Sequence, residues 1–199
     1  MGSWTSLVGV GMKVWLSRRI AMLANTRHWT TNSAGIQRSQ LRQLLRAASK
    51  TEAGRKYGFA KLADLDNTQM LDGYRKSVPV ADWYVYKNEI ARMRELGEAD
   101  VLWPGVVRDF AQTSGTTAGD KFIPVSQMMM RSNFLASLDI FGHLSRFGVS
   151  LPSLLSGKCL FLGGSTDLSV NDKGIRTGDL SGIVTPLIRW PISEIYLPG

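Results

Sequence analysis

The stretch "DFAQTSGTTAGDKFIPVS", Asp109 to Ser126, decides the fold class. It sets four hydroxyl residues and two glycines into seven consecutive positions, Thr113 to Gly119, and then adds Lys121. On its near side, "VLWPGVVRDFAQ" reads as a loop feeding a short strand whose apolar residues are Val106, Val107 and Phe110. On its far side, "KFIPVS" reads as a second short strand. Pro124 has no N–H to give to a ladder, which keeps that strand at an edge or an end. A strand–loop–strand arrangement holds such a loop open at a sheet edge.

Phosphate groups are held by many short donors. Gly115 and Gly119 let the backbone come close and turn its N–H groups inward. Thr113, Ser114, Thr116 and Thr117 add hydroxyl donors, and Lys121 adds a mobile cation suited to phosphate oxygens. The loop therefore reads as a phosphate cradle, most simply for ATP. The competing reading is a Ser/Thr–Gly turn between two strands, with Lys121 in solvent. The loop is not a P-loop: only three residues separate Gly115 from Gly119, and Phe122 follows the lysine where that motif places a hydroxyl. It is not a dinucleotide fingerprint either, because G-x-G-x-x-G is absent.

Upstream, the spacing over 9–25 predicts an amphipathic helix. Leu41, Leu44, Leu45 and Ala48 predict a firmer one over 38–50. On another face of that helix, Arg38, Arg42, Arg46 and Lys50 recur every four residues. Like charges so placed repel. They read as a solvated ridge over a core stripe in preference to a phosphate- or lipid-binding face. Gly54 and Gly58 make "TEAGRKYGFAKL" a turn-rich link, and Asp82 is placed to cap a helix through "WYVYKNEIARMRELGE" that stops near Gly97. Downstream, Ser126 is placed to cap a helix over 127–147 with Met130, Phe134, Leu138, Phe141 and Leu144 as its packing stripe. "KCLFLGG" (158–164) suits a buried strand, and the polar, glycine-punctuated segment to Ile183 suits a loop or hairpin.

Composition bounds the rest. The 199 residues are long enough for one domain or for a piece of a larger one. The charge of +8 is uneven: Met1 to Lys56 carries ten basic residues and the single acid Glu52, a net +9 that leaves −1 for the remainder. One cysteine, Cys159, allows no internal disulfide, which fits a reducing, cytoplasmic setting. No apolar run is long enough to predict a membrane span. His28 and His143 have no cysteine or acidic pair at ligand spacing, His143 and Cys159 read as packing residues, and no metal ligand and no catalytic residue is named.

"TSGTTAG…K", continuing into "KFIP", resembles the ATP loop of acyl-adenylate-forming enzymes. Its variant form resembles the Gretchen Hagen acyl-amido synthetases, the auxin-responsive promoter family and its bacterial relatives. "TEAGRKYGF" (51–59) and "SVPVADWYVYKNEIARMRELGEADVLWPG" (77–105) resemble that family's segments before the loop, and the likeness covers roughly residues 40–185. The resemblance implies an α/β fold, the N-terminal part of an adenylate-forming domain, with mixed sheets flanked by helices. The charge distribution makes 1–56 a basic helical arm, and the resemblance implies a partial adenylate-forming domain over 57–199. It also implies ATP with Mg2+, a small carboxylic acid and an amine or amino acid as substrates, and no nucleic-acid partner. Ser114 and Thr116 would contact phosphate most directly, with Thr113, Gly115, Thr117, Gly119 and Lys121 beside them. The chain departs from many members in having only Asp120 between Gly119 and the lysine. The Tyr-x-Ser-Ser-Glu and Tyr-Arg-x-Gly-Asp type segments that would supply adenine, ribose and metal contacts do not occur in it. The chain thus reads as the first part of such an enzyme, not expected to turn over by itself. A non-catalytic nucleotide-binding module and a basic polyanion- or membrane-surface binder are the rival readings.

Overall fold

The computed structural model describes residues 3–113, 121–144, 147–160, 164–187, 193 and 196–197. Helices α1 (Ser3–Ala24), α2 (Thr26–Ala48), α3 (Glu52–Lys56), α4 (Phe59–Asp64) and α5 (Asn67–Ser77) come first. A 3-10 turn at Trp83–Tyr86 runs into α6 (Lys87–Ala91) and a π turn at Arg92–Leu96. Then follow β1 (Asp109–Thr113), β2 (Lys121–Val125), α7 (Gln127–Leu144), α8 (Leu151–Leu155), β3 (Cys159–Leu160), β4 (Ser169–Val170), β5 (Arg176–Gly178), α9 (Leu180–Val184) and β6 (Tyr196–Leu197). The architecture is mixed α/β, as the sequence predicts. Two compact units divide it: Met1–Thr31 with Gln127–Thr166 and Ser181–Gly199, and Asn32–Ser126 with Asp167–Leu180.

The second unit carries a four-stranded mixed sheet in the order β2-β1-β5-β4. β1 is antiparallel to β2 and parallel to β5, and β5 is antiparallel to β4. β2 is an edge strand, the place Pro124 requires. β4 and β5 form the hairpin expected in the polar tail, turned by Asn171, whose Oδ1 accepts from the N–H groups of Lys173 and Ile175. Beneath the sheet, Phe110, Met93, Val101, Val107, Ile90 and Ile175 form one core cluster. Phe110 is fully buried, which stabilises the strand by about 1.5–3 kcal/mol. The predicted strand is shifted here. It begins at Asp109; Val107 is a buried residue of the preceding loop, and Val106 is exposed.

Asp82 caps as predicted, its Oδ1 accepting from the Tyr84 N–H, and Gly97 ends the segment in the left-handed conformation (φ 68°). The helix between them is not uniform. It tightens to 3-10 at its start and widens to a π turn at its end. A separate cluster in the same unit joins Leu45 of α2 to Leu62, Ala63 and Met70. There the arginine ridge of α2 has a structural use. Arg42 donates to the Ala63 carbonyl at the end of α4 and to Asn67 Oδ1 at the start of α5, and Arg46 stands 4.0 Å from Asp64. Unsatisfied carbonyls at a helix end attract cations, so the ridge straps the α4–α5 corner to α2.

In the first unit, α1 packs on α7 and α8 through Leu16, Leu138 and Leu151, with Met12, Ile20, Leu135, Phe141 and Leu154 around them. Gly9 lies so close to α8 that a Cβ there would come within 2.6 Å of Pro152 Cα. Arg19 makes a forked ion pair with Asp139. Three sequence expectations are corrected in this unit. The α7 stripe is met in part: Leu138 and Phe141 face α1 as expected, joined by Leu135 and Gly142, whereas Phe134 is 53% exposed. β3 pairs parallel with β6, but Leu160 is 65% exposed where the sequence predicts a buried strand; residues 161–163 of that predicted strand lie outside the described residues. Nor is α1 amphipathic, because it is apolar on both its packed and its outward face.

Candidate active site

The hydroxyl loop grows out of the β1–β2 hairpin. The register is Asp109↔Val125, Phe110↔Pro124, Ala111↔Ile123, Gln112↔Phe122 and Thr113↔Lys121. Burial falls along it. Phe110, Ala111 and Val125 are buried, whereas Gln112 and Thr113 are exposed. The hairpin therefore leaves the core at its base and delivers its mouth to solvent. Of the predicted site residues, Thr113 and Lys121 are brought face to face as the last pair of the ladder. Ser114, Gly115, Thr116, Thr117 and Gly119 lie outside the described residues.

Lys121 is half-buried, with Nζ 5.1 Å from the centroid of the Tyr84 ring. Such a contact at a partly wet site is worth about 0.5–1 kcal/mol. That is enough to give the side chain a resting position and too little to hold it against a phosphate dianion.

Three contacts fix the hairpin's position. Trp83 Nε1 donates to the Phe122 carbonyl at 2.9 Å. The Arg94 guanidinium lies 3.7 Å from the centroid of the Phe122 ring. Arg94 Nη2 pairs with Glu95 at 2.9 Å, the Arg94 carbonyl accepts from Asn171 Nδ2 at 2.8 Å, and Nε is buried with no partner among the described residues. At the base, Arg176 grips Asp109 with both arms, Nε to Oδ1 at 2.7 Å and Nη2 to Oδ2 at 2.9 Å. Hydrogen bonding to that carboxylate holds the Arg176 guanidinium above its ordinary pKa, against the opposing effect of burial. This pair joins β1 to β5 where they run parallel.

The segment before the loop thus supplies its supports: Tyr84 under the lysine, Trp83 and Arg94 on Phe122. Sequence reading missed these roles, and also that of Asp109–Arg176. The one usable signal was the proximity of a Trp/Tyr/Arg-rich block to a hydroxyl loop. A cavity of about 210 Å³ beside the β4–β5 hairpin, lined by Arg94, Glu95, Asn171 and Thr177 among others, is smaller than a nucleotide site requires. Among the described residues no three carboxylate, imidazole or thiol groups converge, so the described part of the chain holds no metal cage.

The earlier segment that resembles family sequence, 51–59, is built around Thr51. Its side chain is fully buried; Oγ1 donates to the Ala48 carbonyl at 2.7 Å and accepts from the Gly54 N–H at 2.9 Å. A Cβ on Gly54 would lie 2.0 Å from the Ala48 oxygen, so only glycine fits. The Glu52 and Ala53 N–H groups bond the carbonyls of Asp100 and Val101, which ties this corner to the segment leading into β1.

Residues 22–190 match the GH3 family N-terminal domain. The chain belongs to the GH3 family. The match takes in α2 through α9 and so includes both halves of the hairpin and every support described above. GH3 proteins are acyl-acid amido synthetases, acting on acids and amino acids. A comparison with curated proteins gave no match. Among the described residues no helix is long and apolar enough to cross a membrane.

Proposed function

We propose that the chain provides the ATP-binding part of an acid–amino acid ligase working through an acyl-adenylate, with 57–199 as part of the adenylating domain. The observation that carries this is the hairpin mouth. It sets exposed Thr113 opposite half-buried Lys121 within a GH3 domain, and the Ser/Thr/Gly loop joins the two. In the first step a carboxylate oxygen of the acid attacks the α-phosphorus of ATP. A phosphorus–oxygen bond forms, the α–β bridge breaks and pyrophosphate leaves. In the second step the amine nitrogen attacks the acyl carbon, AMP departs with the oxygen, and the nitrogen loses a proton.

Lys121 swings from Tyr84 onto phosphate oxygens, while the Thr113, Ser114, Thr116 and Thr117 hydroxyls and the Gly115 and Gly119 amides donate to the charge that builds there. Donors aimed before the reaction stabilise that charge without reorganising. Mg2+ would arrive with the triphosphate and lower its repulsion.

The test is exchange of labelled pyrophosphate into ATP across a panel of carboxylic acids. It is run on this chain and on the complete product of its gene. Acid-dependent exchange that disappears in Thr116→Ala supports the reading and names the acid. ATP binding with no exchange for any acid in either protein would leave a nucleotide-binding module in its place.

A further inference from the structure

α1 is apolar on two opposite faces. Met12, Leu16 and Ile20 line one, with Gly9, and pack against α7 and α8. The other carries Leu7, Val10, Val14, Trp15 and Met22, at i, i+3, i+7, i+8 and i+15. They are 70%, 48%, 69%, 65% and 40% exposed. Helices apolar all round are normally covered all round. The outward stripe also contains the exposed Arg18, with exposed Lys13 on its flank. No acid precedes Glu52 in the sequence, so the face meets no internal counter-charge from its own element or from the start of α2. Most of α1 lies before residue 22, where the GH3 match begins, and of this face only Met22 falls inside the match.

We propose that the outward face of α1 lies in the headgroup region of an anionic lipid bilayer and seats the protein on a membrane surface without crossing it. An aliphatic stripe with an aromatic ring and cations, and no acids, is what that boundary accepts. The side chains enter the acyl margin, Trp15 sits at the interface, and Lys13 and Arg18 reach back to lipid phosphates. A second copy of the chain is a poorer occupant, since two copies of this face would bring their cations together with no acid of either α1 to offset them. The inference rests on α1 and is independent of the nucleotide reading.

The experiment is co-sedimentation of the whole chain with phosphatidylcholine vesicles, with and without phosphatidylserine, alongside sedimentation equilibrium without lipid. The expected result is binding that needs phosphatidylserine and weakens with salt. It falls by more than about fivefold for each of Lys13→Glu and Arg18→Glu and is lost in Val14→Asp. Val14 points away from the packing face, so Val14→Asp keeps its helical circular dichroism. Three results overturn the proposal: no binding to either vesicle; binding that Val14→Asp and the charge reversals leave unchanged; or a dimer in solution that Val14→Asp dissolves in a chain that ignores lipid.

Discussion

Thr113 and Lys121 are the last paired residues of the β1–β2 ladder, and Lys121 rests its ammonium 5.1 Å from the Tyr84 ring centroid. On the proposed reading, a bound phosphate would compete with the ring for this cation. Replacing Tyr84 by Leu removes the competitor and is expected to tighten MgATP binding by about two- to fivefold. Lys121→Met removes the cation and is expected to weaken binding by about tenfold or more. Calorimetric titration of both variants checks this. A loss of affinity in Tyr84→Leu would mean that the ring helps to hold the nucleotide.

The clamp on Phe122 gives a second prediction. Trp83→Phe removes the hydrogen bond to the Phe122 carbonyl and Arg94→Leu removes the stacked guanidinium. Each is expected to cost about 1 kcal/mol of stability. Because both contacts lie on strand β2 next to Lys121, each should also weaken nucleotide binding several-fold. Denaturant midpoints and ATP titrations on the same samples separate the two effects. Stability loss with unchanged ATP affinity would show that the hairpin does not need the clamp to present its mouth.

At the Thr51 corner the prediction concerns stability alone. Gly54→Ala must displace the Ala48 carbonyl and is expected to cost more than about 2 kcal/mol. Thr51→Val leaves the buried Gly54 amide without its acceptor and is expected to cost about 1–3 kcal/mol. Urea unfolding checks both.

Glu52 gives a pH dependence. Hydrogen bonds from Arg92, at 2.8 and 3.3 Å, hold its carboxyl below the ordinary glutamate value, helped by the charges of Arg92, Arg55 and Lys56 and opposed by burial. A folded pKa below the unfolded one means stability that is present above the unfolded value and lost as pH falls through the folded one. The wild type should therefore unfold at higher urea than Glu52→Gln at neutral pH. That margin should shrink below pH ~4.3 and close further down. The pair is exposed to solvent, so the margin is small and should fall with salt. A margin that grows on acidification would contradict the assignment.

What the sequence disclosed follows from which interactions are local. The hairpin was legible because its loop chemistry and its proline sit within eighteen residues. α2 was legible from its spacing, and the Asp82 cap because caps bond two or three residues ahead. The Asp109–Arg176 pair spans 67 positions and depends on β1 lying parallel to β5, which no short-range pattern encodes. Arg94 on Phe122 depends on a π turn that rotates Arg94 relative to an ordinary helix. Phe134 was wrongly placed in the α7 packing stripe for a related reason. The apolar residues of α7 surround much of the helix, so only the partner α1 decides which of them is covered.

The most direct test of the central claim is calorimetric titration of MgATP into the whole chain and into the double variant Ser114→Ala/Thr116→Ala. Saturable one-to-one binding that falls by about tenfold or more in the variant, with unchanged circular dichroism, is the predicted result. No saturable binding to the parent chain, or equal affinity in the variant, would contradict the assignment of this loop as a nucleotide cradle.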